Sequence, residues 1–304
     1  MENGKGNAMN ELILGIVLVF LCLPCLSAFS EENEKNTSTV FIVGGGKAAR
    51  SFANDLARDQ MMISGKKAEI RAIERKIDAG EYAVAIQGLT ERLNANGWKF
   101  LDREILAALV RANVGAGNWS DAIKYQREIM ARSVKGDWVM EYIADYWKLM
   151  EEYKRNVPGG SIAEQIPASE QELAAYQERL QKFYAGKTEN NKNFLLSMAN
   201  FYMVRLQLDK AERCVRQAID IPTTKDFQKR EDREAHAMLR NILMLQGRYE
   251  DANRENEWLI TNHMAYGYEK GATLFLQKAM AEKPDPRKIE YKYKQNNFQA
   301  SVRT

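Results

Sequence analysis

At 304 residues, with 45% apolar and 28% charged side chains, the chain is long enough to bury a substantial core and too apolar for a disordered one. Its net charge is +3, and acidic and basic residues interleave through Glu69 to Lys76 and Lys225 to Arg233 instead of segregating by sign. That pattern belongs to solvated helix faces and excludes the basic track of a nucleic-acid binder, so no nucleic acid is expected as partner.

Residues 1–30 read as an export signal. Leu12 to Leu26 form an almost unbroken apolar run that ends in the small residues Ser27, Ala28 and Ser30, with Pro24 inside it. Cleavage is expected after Ser30, with Ala28 as the alternative site. The alternative to cleavage is an anchor: a run of about 17 apolar residues lies at the short edge of what spans a bilayer. In that case residues 12–28 would be the only membrane contact. Cys22 and Cys25 lie in this run, so Cys214 would be the single thiol of the processed chain, and its alanine-rich helical setting suits a packed small apolar side chain. An exported chain without a disulfide points to a bacterial periplasm or envelope surface.

Residues 31–65 read as an extended, glycine-containing segment followed by a short helix from Lys47 to Met62. Thr39 to Ala49 resembles a strand entering a glycine-rich turn at Gly44-Gly45-Gly46. A dinucleotide site would need a second strand ending in an acidic residue about 30 residues on, and the stretch at that distance is helical and charged. A phosphate loop would need the earlier glycine spacing and a Ser or Thr after Lys47, and Ala48 stands there. The segment therefore reads as a connector, and a nucleotide-binding module or enzyme built on Gly44 to Gly46 is the runner-up for function.

From Ser64 to Ala281 apolar residues recur at three and four, as in Ile105, Leu106, Leu109, and no strand alternation survives, so the region is all helix. Within it an aromatic or leucine stands three residues before an alanine four times: Tyr82/Ala85, Trp119/Ala122, Leu208/Ala211 and Tyr249/Ala252. The alanines recur at intervals of 37, 89 and 41 residues, about the length of one helix pair except for the long middle gap. Gly80, Gly117 and Gly247 stand where a first helix stops and a second starts, because glycine accepts the left-handed turn that ends a helix. Asn118 precedes a helix start and suits a cap better than the glycosylation acceptor that Asn118-Trp119-Ser120 also spells. The long gap is filled by a helix from Asp137 to about Lys154 and another from Ser169 to Tyr184, whose start Ser169 and Glu172 mark as a capping box. Between them, Pro158 to Pro167 predicts a loop that projects from one face. Trp138, Tyr142, Tyr146, Trp147 and Tyr153 make the first of the two strongly aromatic, which reads as core, or else as a contact ridge for self-association.

With these residues in place, the chain resembles the tetratricopeptide repeat family over residues 66–281, best in Leu195 to Pro222. Leu195, Met198, Ala199 and Tyr202 match the first-helix pattern of large, large, small and aromatic, and Leu208, Ala211, Val215 and Ala218 match the second helix. The copy at Gly247 keeps its corner, but Arg240 stands where the family has a small residue. The resemblance implies an all-α, right-handed superhelical solenoid of antiparallel helix pairs, whose first helices line a concave face. It further implies a peptide-gripping asparagine beside the small packing residue. Asn200 and Asn241 take that place, Met203 and Met244 repeat the spacing, and Arg111 stands at the equivalent position of the copy around Ala122. These five residues are expected to line one groove for a peptide or protein segment. No catalytic constellation is expected. His236 and His263 have no ligand partner at metal spacing, so neither metal nor cofactor is expected. Residues 282–304 read as a polar, mildly basic and partly disordered tail.

Overall fold

The computed structural model describes residues 47–132, 136–163, 165–184, 191–222, 229–262, 267–294 and 297–303. The signal-like run, both of its cysteines and the glycine triplet Gly44 to Gly46 lie outside the described residues, as do His263 and the side chain of Trp138. The chain divides into two units, Met1–Glu69 and Ile70–Thr304. In the first, the described residues are helical from Lys47 onward. Helix α1 (Lys47–Asp78) runs unbroken through the end expected at Met62. One glycine in a helix interior, here Gly65, costs only about 1 kcal/mol. Beyond it Ile70, Ile73 and Ile77, all buried, continue the apolar stripe within the second unit.

In the second unit α2 (Tyr82–Asn94) is followed by a 3-10 turn (Lys99–Leu101), α3 (Asp102–Gly115), α4 (Trp119–Arg132), α5 (Gly136–Asn156) and α6 (Glu170–Phe183). Then come α7 (Lys192–Met203), α8 (Leu208–Asp220), α9 (Lys229–Leu245), α10 (Tyr249–Asn262) and α11 (Gly267–Glu282). The described residues are thus mostly helix, as the spacing of apolar residues requires.

Three corners end as glycine allows: Gly80, Gly117 and Gly247 have φ of 78°, 75° and 73°. At each, the residue after the glycine donates its N–H to a carbonyl five residues back: Glu81 to Lys76, Asn118 to Asn113 and Arg248 to Leu243, at 2.8–2.9 Å. A fourth corner has the same bonds without a glycine. Leu206 takes φ 57°, and the Gln207 N–H donates to the Tyr202 carbonyl at 3.0 Å. A left-handed leucine costs about 1–2 kcal/mol, and burial of its side chain offsets that cost. The four repeating alanines, Ala85, Ala122, Ala211 and Ala252, are each fully buried, so a methyl group is all that separates the paired helices there.

α5 organises the rest. It packs on α4, on α9, on the turn Pro286–Lys288 and on a C-terminal strand. Its aromatic stripe is core: Tyr146 is fully buried, Trp147 and Tyr153 nearly so, and Tyr142 is half-buried against the same cluster. The capping box at α6 forms in both directions, Ser169 Oγ accepting from the Glu172 N–H and Glu172 Oε2 from the Ser169 N–H, each at 3.1 Å. The segment before it does not project. Arg127 donates to the Ala163 carbonyl at 2.9 Å, and the Ile166 N–H donates to the Arg205 carbonyl at 3.1 Å, so the loop is tied to α4 and to the corner after α7.

The expected tail is instead a β-hairpin. β1 (Ile289–Lys294) pairs antiparallel with β2 (Asn297–Val302), Tyr291 opposite Ala300 and Tyr293 opposite Phe298. Ile289, Tyr291, Tyr293 and Phe298 are buried on its inner face, whereas Lys292 and Gln299 point out. β1 covers α5, where the Tyr293 hydroxyl donates to Met140 Sδ at 3.3 Å, and β2 covers α11. A two-stranded ribbon is marginal alone, and this one is held by the two helices beneath it.

β2 meets α11 through a glycine. A methyl group on Gly271 would lie 2.0 Å from the Phe298 carbonyl oxygen, backbone against backbone. Gly271→Ala is therefore expected to lower stability by about 1–3 kcal/mol in urea denaturation, whereas Gly65→Ala, with open space around it, should be neutral or stabilising.

Alkaline stability follows from two tyrosines. Burial, with a smaller contribution from the Asp285 charge, pushes the Tyr249 hydroxyl up to about 12, and burial pushes fully buried Tyr291 well above the ordinary 10.0. Both ionise in the unfolded chain before they do in the folded one. The folded state then holds more protons, and stability falls as pH rises from 10 toward 12. The urea midpoint should drop across that window and drop less in Tyr291→Phe. At neutral pH that variant should be neutral or up to about 1 kcal/mol more stable, because the hydroxyl has no hydrogen-bond partner among the described residues.

Candidate functional site

The five residues expected to line one groove part company in the structure. Met203 and Met244 are fully buried, and Asn241 is 1% exposed, so none of the three can meet a ligand. Both methionines belong to the main core cluster that also contains the α5 aromatics and the hairpin tyrosines.

Asn241 serves a buried polar network instead. Arg240, 2% exposed, donates from Nε and Nη2 to Asn241 Oδ1 at 3.1 and 3.0 Å, and from Nη1 to Asn256 Oδ1 at 3.1 Å. Asn256 in turn donates to the Glu269 carbonyl and to Thr273 Oγ1, and the buried Glu269 carboxylate accepts from Arg233 at 2.9 Å. A guanidinium in the position of a small residue is tolerated because its donors are satisfied. Arg111 on α3 is exposed and ion-paired with Glu74.

Asn200 lines an open cleft of about 280 Å³. One wall is the polar stripe of α7, Asn193, Ser197 and Asn200, spaced four and three apart so that all fall on one helix face. α6 supplies Tyr176 and Arg179, with Tyr184 just beyond its end. α9 adds Glu234 and Met238, and the end of α4 adds Arg132.

The walls are tied together by hydrogen bonds. The Tyr176 hydroxyl donates to the Ser197 carbonyl at 3.2 Å, and the Tyr184 hydroxyl and Ser197 Oγ share a bond of the same length. Ser197 Oγ donates to the Asn193 carbonyl at 2.7 Å, and Asn193 Nδ2 to Glu231 at 2.6 Å. Burial raises the Tyr176 hydroxyl above its usual range, with Arg179 opposing the shift, so the hydroxyl remains a donor at neutral pH. The cleft thus presents amide, hydroxyl and ionised groups on rigid helices, and no nucleophile–base arrangement.

The stripe on α7 is the signal that spacing alone could have supplied, since three polar residues interrupt an otherwise apolar helix at four and three. Tyr176 and Arg179 come from outside the repeats, and no repeat pattern points to them. His236 is held elsewhere, stacked on Trp258 with ring centroids 3.5 Å apart and with Nδ1 at 2.6 Å from Glu255. Cys214 is a half-buried thiol that burial shifts upward, which suits the packing role expected of it. Among the described residues no group of three or more His, Cys, Asp or Glu side chains could hold a metal, and no helix is long and apolar enough to cross a membrane. No protein-family model matches the chain, and no curated protein does.

The different burial of the five residues is measurable. Met203→Ala or Met244→Ala should cost about 2–5 kcal/mol in urea denaturation, and Arg111→Ala less than about 1 kcal/mol, because the first two open a core cavity and the third removes only a surface ion pair.

Proposed function

We propose that this protein is a tetratricopeptide-like scaffold or adaptor, without catalysis of its own, that holds a peptide or protein segment in the cleft at Asn200. Its helix pairs would stack as a right-handed superhelical solenoid, with α7 and α9 as first helices of two consecutive pairs. The observation that carries the reading is the placement of the cleft. It opens against α7 and α9 and presents Asn193, Ser197 and Asn200 as amide and hydroxyl groups that can donate to and accept from an extended main chain. The four corners of one geometry support the repeat assignment. The apolar run at residues 12–26 supports action outside the cytoplasm, in a periplasm or at an envelope surface.

A photo-crosslinking residue at position 200 in the native host identifies the segment that docks, with position 87 on α2 as a control. Against that captured segment, the Ser197→Ala and Asn200→Ala double variant should weaken binding roughly tenfold while far-UV circular dichroism and melting stay close to wild type. Unchanged affinity in the double variant removes the cleft from the mechanism.

A further inference from the structure

Several of the lining side chains also bond to one another or to neighbouring helices, and two charged ones form no ion pair among the described residues. Tyr176, Tyr184, Ser197 and Asn193 hold one another in place through the bonds above, and Arg132 is ion-paired with Asp102 and Glu128. Arg179 and Glu234 differ. Both line the cleft, and among the described residues neither forms an ion pair. The Arg179 guanidinium lies 4.9 Å from the centre of the Tyr176 ring, a cation–π contact that keeps it over the cleft wall with N–H groups to spare. Glu234 lines the cleft from α9, one turn before Met238. A cation on α6 and an anion on α9 therefore flank a wall of amides and hydroxyls.

Size and rim indicate what fits between them. At about 280 Å³ the cleft falls just short of the roughly 300–1,000 Å³ of a small-molecule site, and so suits a few side chains of a larger ligand. Beside the lining residue Tyr184, Phe183 is 77% exposed and stands edge-on to it with ring centroids 4.9 Å apart, an aromatic surface for an apolar neighbour.

Building on the reading of this cleft as a peptide site, we propose that it selects a partner segment carrying an acidic and a basic side chain within a few residues of one another. The carboxylate meets Arg179 and the cation meets Glu234. Arginine suits the first role because its planar fork matches a carboxylate, and a pair of opposed charges rejects segments of one sign by leaving one wall unpaired.

The test titrates the full chain with four acetylated and amidated pentapeptides, Gly-Glu-Ala-Lys-Gly and its Glu/Glu, Lys/Lys and Gln/Gln counterparts, followed by backbone chemical shifts at Ser197 and Asn200. The mixed peptide should bind at least about tenfold more tightly than the other three. Arg179→Gln and Glu234→Gln should each abolish that preference with melting unchanged. Equal binding of all four peptides, or a preference that survives both variants, overturns the charge assignment and leaves the peptide cleft standing. Absence of shifts at Ser197 and Asn200 with any of the four overturns both.

Discussion

Two antiparallel helices can share a core only if the chain between them reverses within a few residues and their backbones then approach to van der Waals contact. Both conditions are met here by single residues. A left-handed backbone at positions 80, 117, 206 and 247 makes the reversal, and a buried methyl at positions 85, 122, 211 and 252 permits the approach. Everything else in the second unit is arranged on that frame. α7 and α9 owe to it their polar and apolar faces, and therefore the cleft between them.

What the frame leaves uncovered, α5 and the hairpin fill. A helix with Tyr146, Trp147 and Tyr153 on its buried face must find apolar partners, and it finds them on α4, α9 and β1. In the same crowded interior Met203, Met244 and Asn241 are buried beyond the reach of a ligand, whereas Asn200 lines the cleft. The buried Arg240 is a result of the same crowding: once covered, its guanidinium is held by Asn241 and Asn256 instead of water. Polar side chains that a repeat pattern assigns to recognition have become part of the structure.

The helices, the three glycine corners and the capping box at Ser169 were legible in the sequence because each depends on residues within one or two turns. Leu206 was not, since leucine carries no signal for a left-handed backbone and its conformation is held by burial. The hairpin was legible in principle, as Ile289, Tyr291 and Tyr293 alternate with Glu290, Lys292 and Lys294, but three charged residues in six made the stretch look solvated. Burial of the two methionines could not be read from spacing, because a repeat interval marks equivalent positions and not what packs against them. The candidate site was legible at one residue of five, Asn200, for the same reason: a repeat pattern identifies the inner face of a helix without showing which part of that face another element will occupy.

The bond between Tyr293 and Met140 joins residues 153 apart in sequence. Closing a loop of that length costs on the order of 4–5 kcal/mol of chain entropy before the hairpin's contacts return anything. The part of α5 that β1 covers, Met140 included, therefore waits for its cover until the hairpin has been made, long after α5 itself. Up to that moment this strip of α5 meets solvent, so the unfinished chain exposes apolar surface that the finished fold hides.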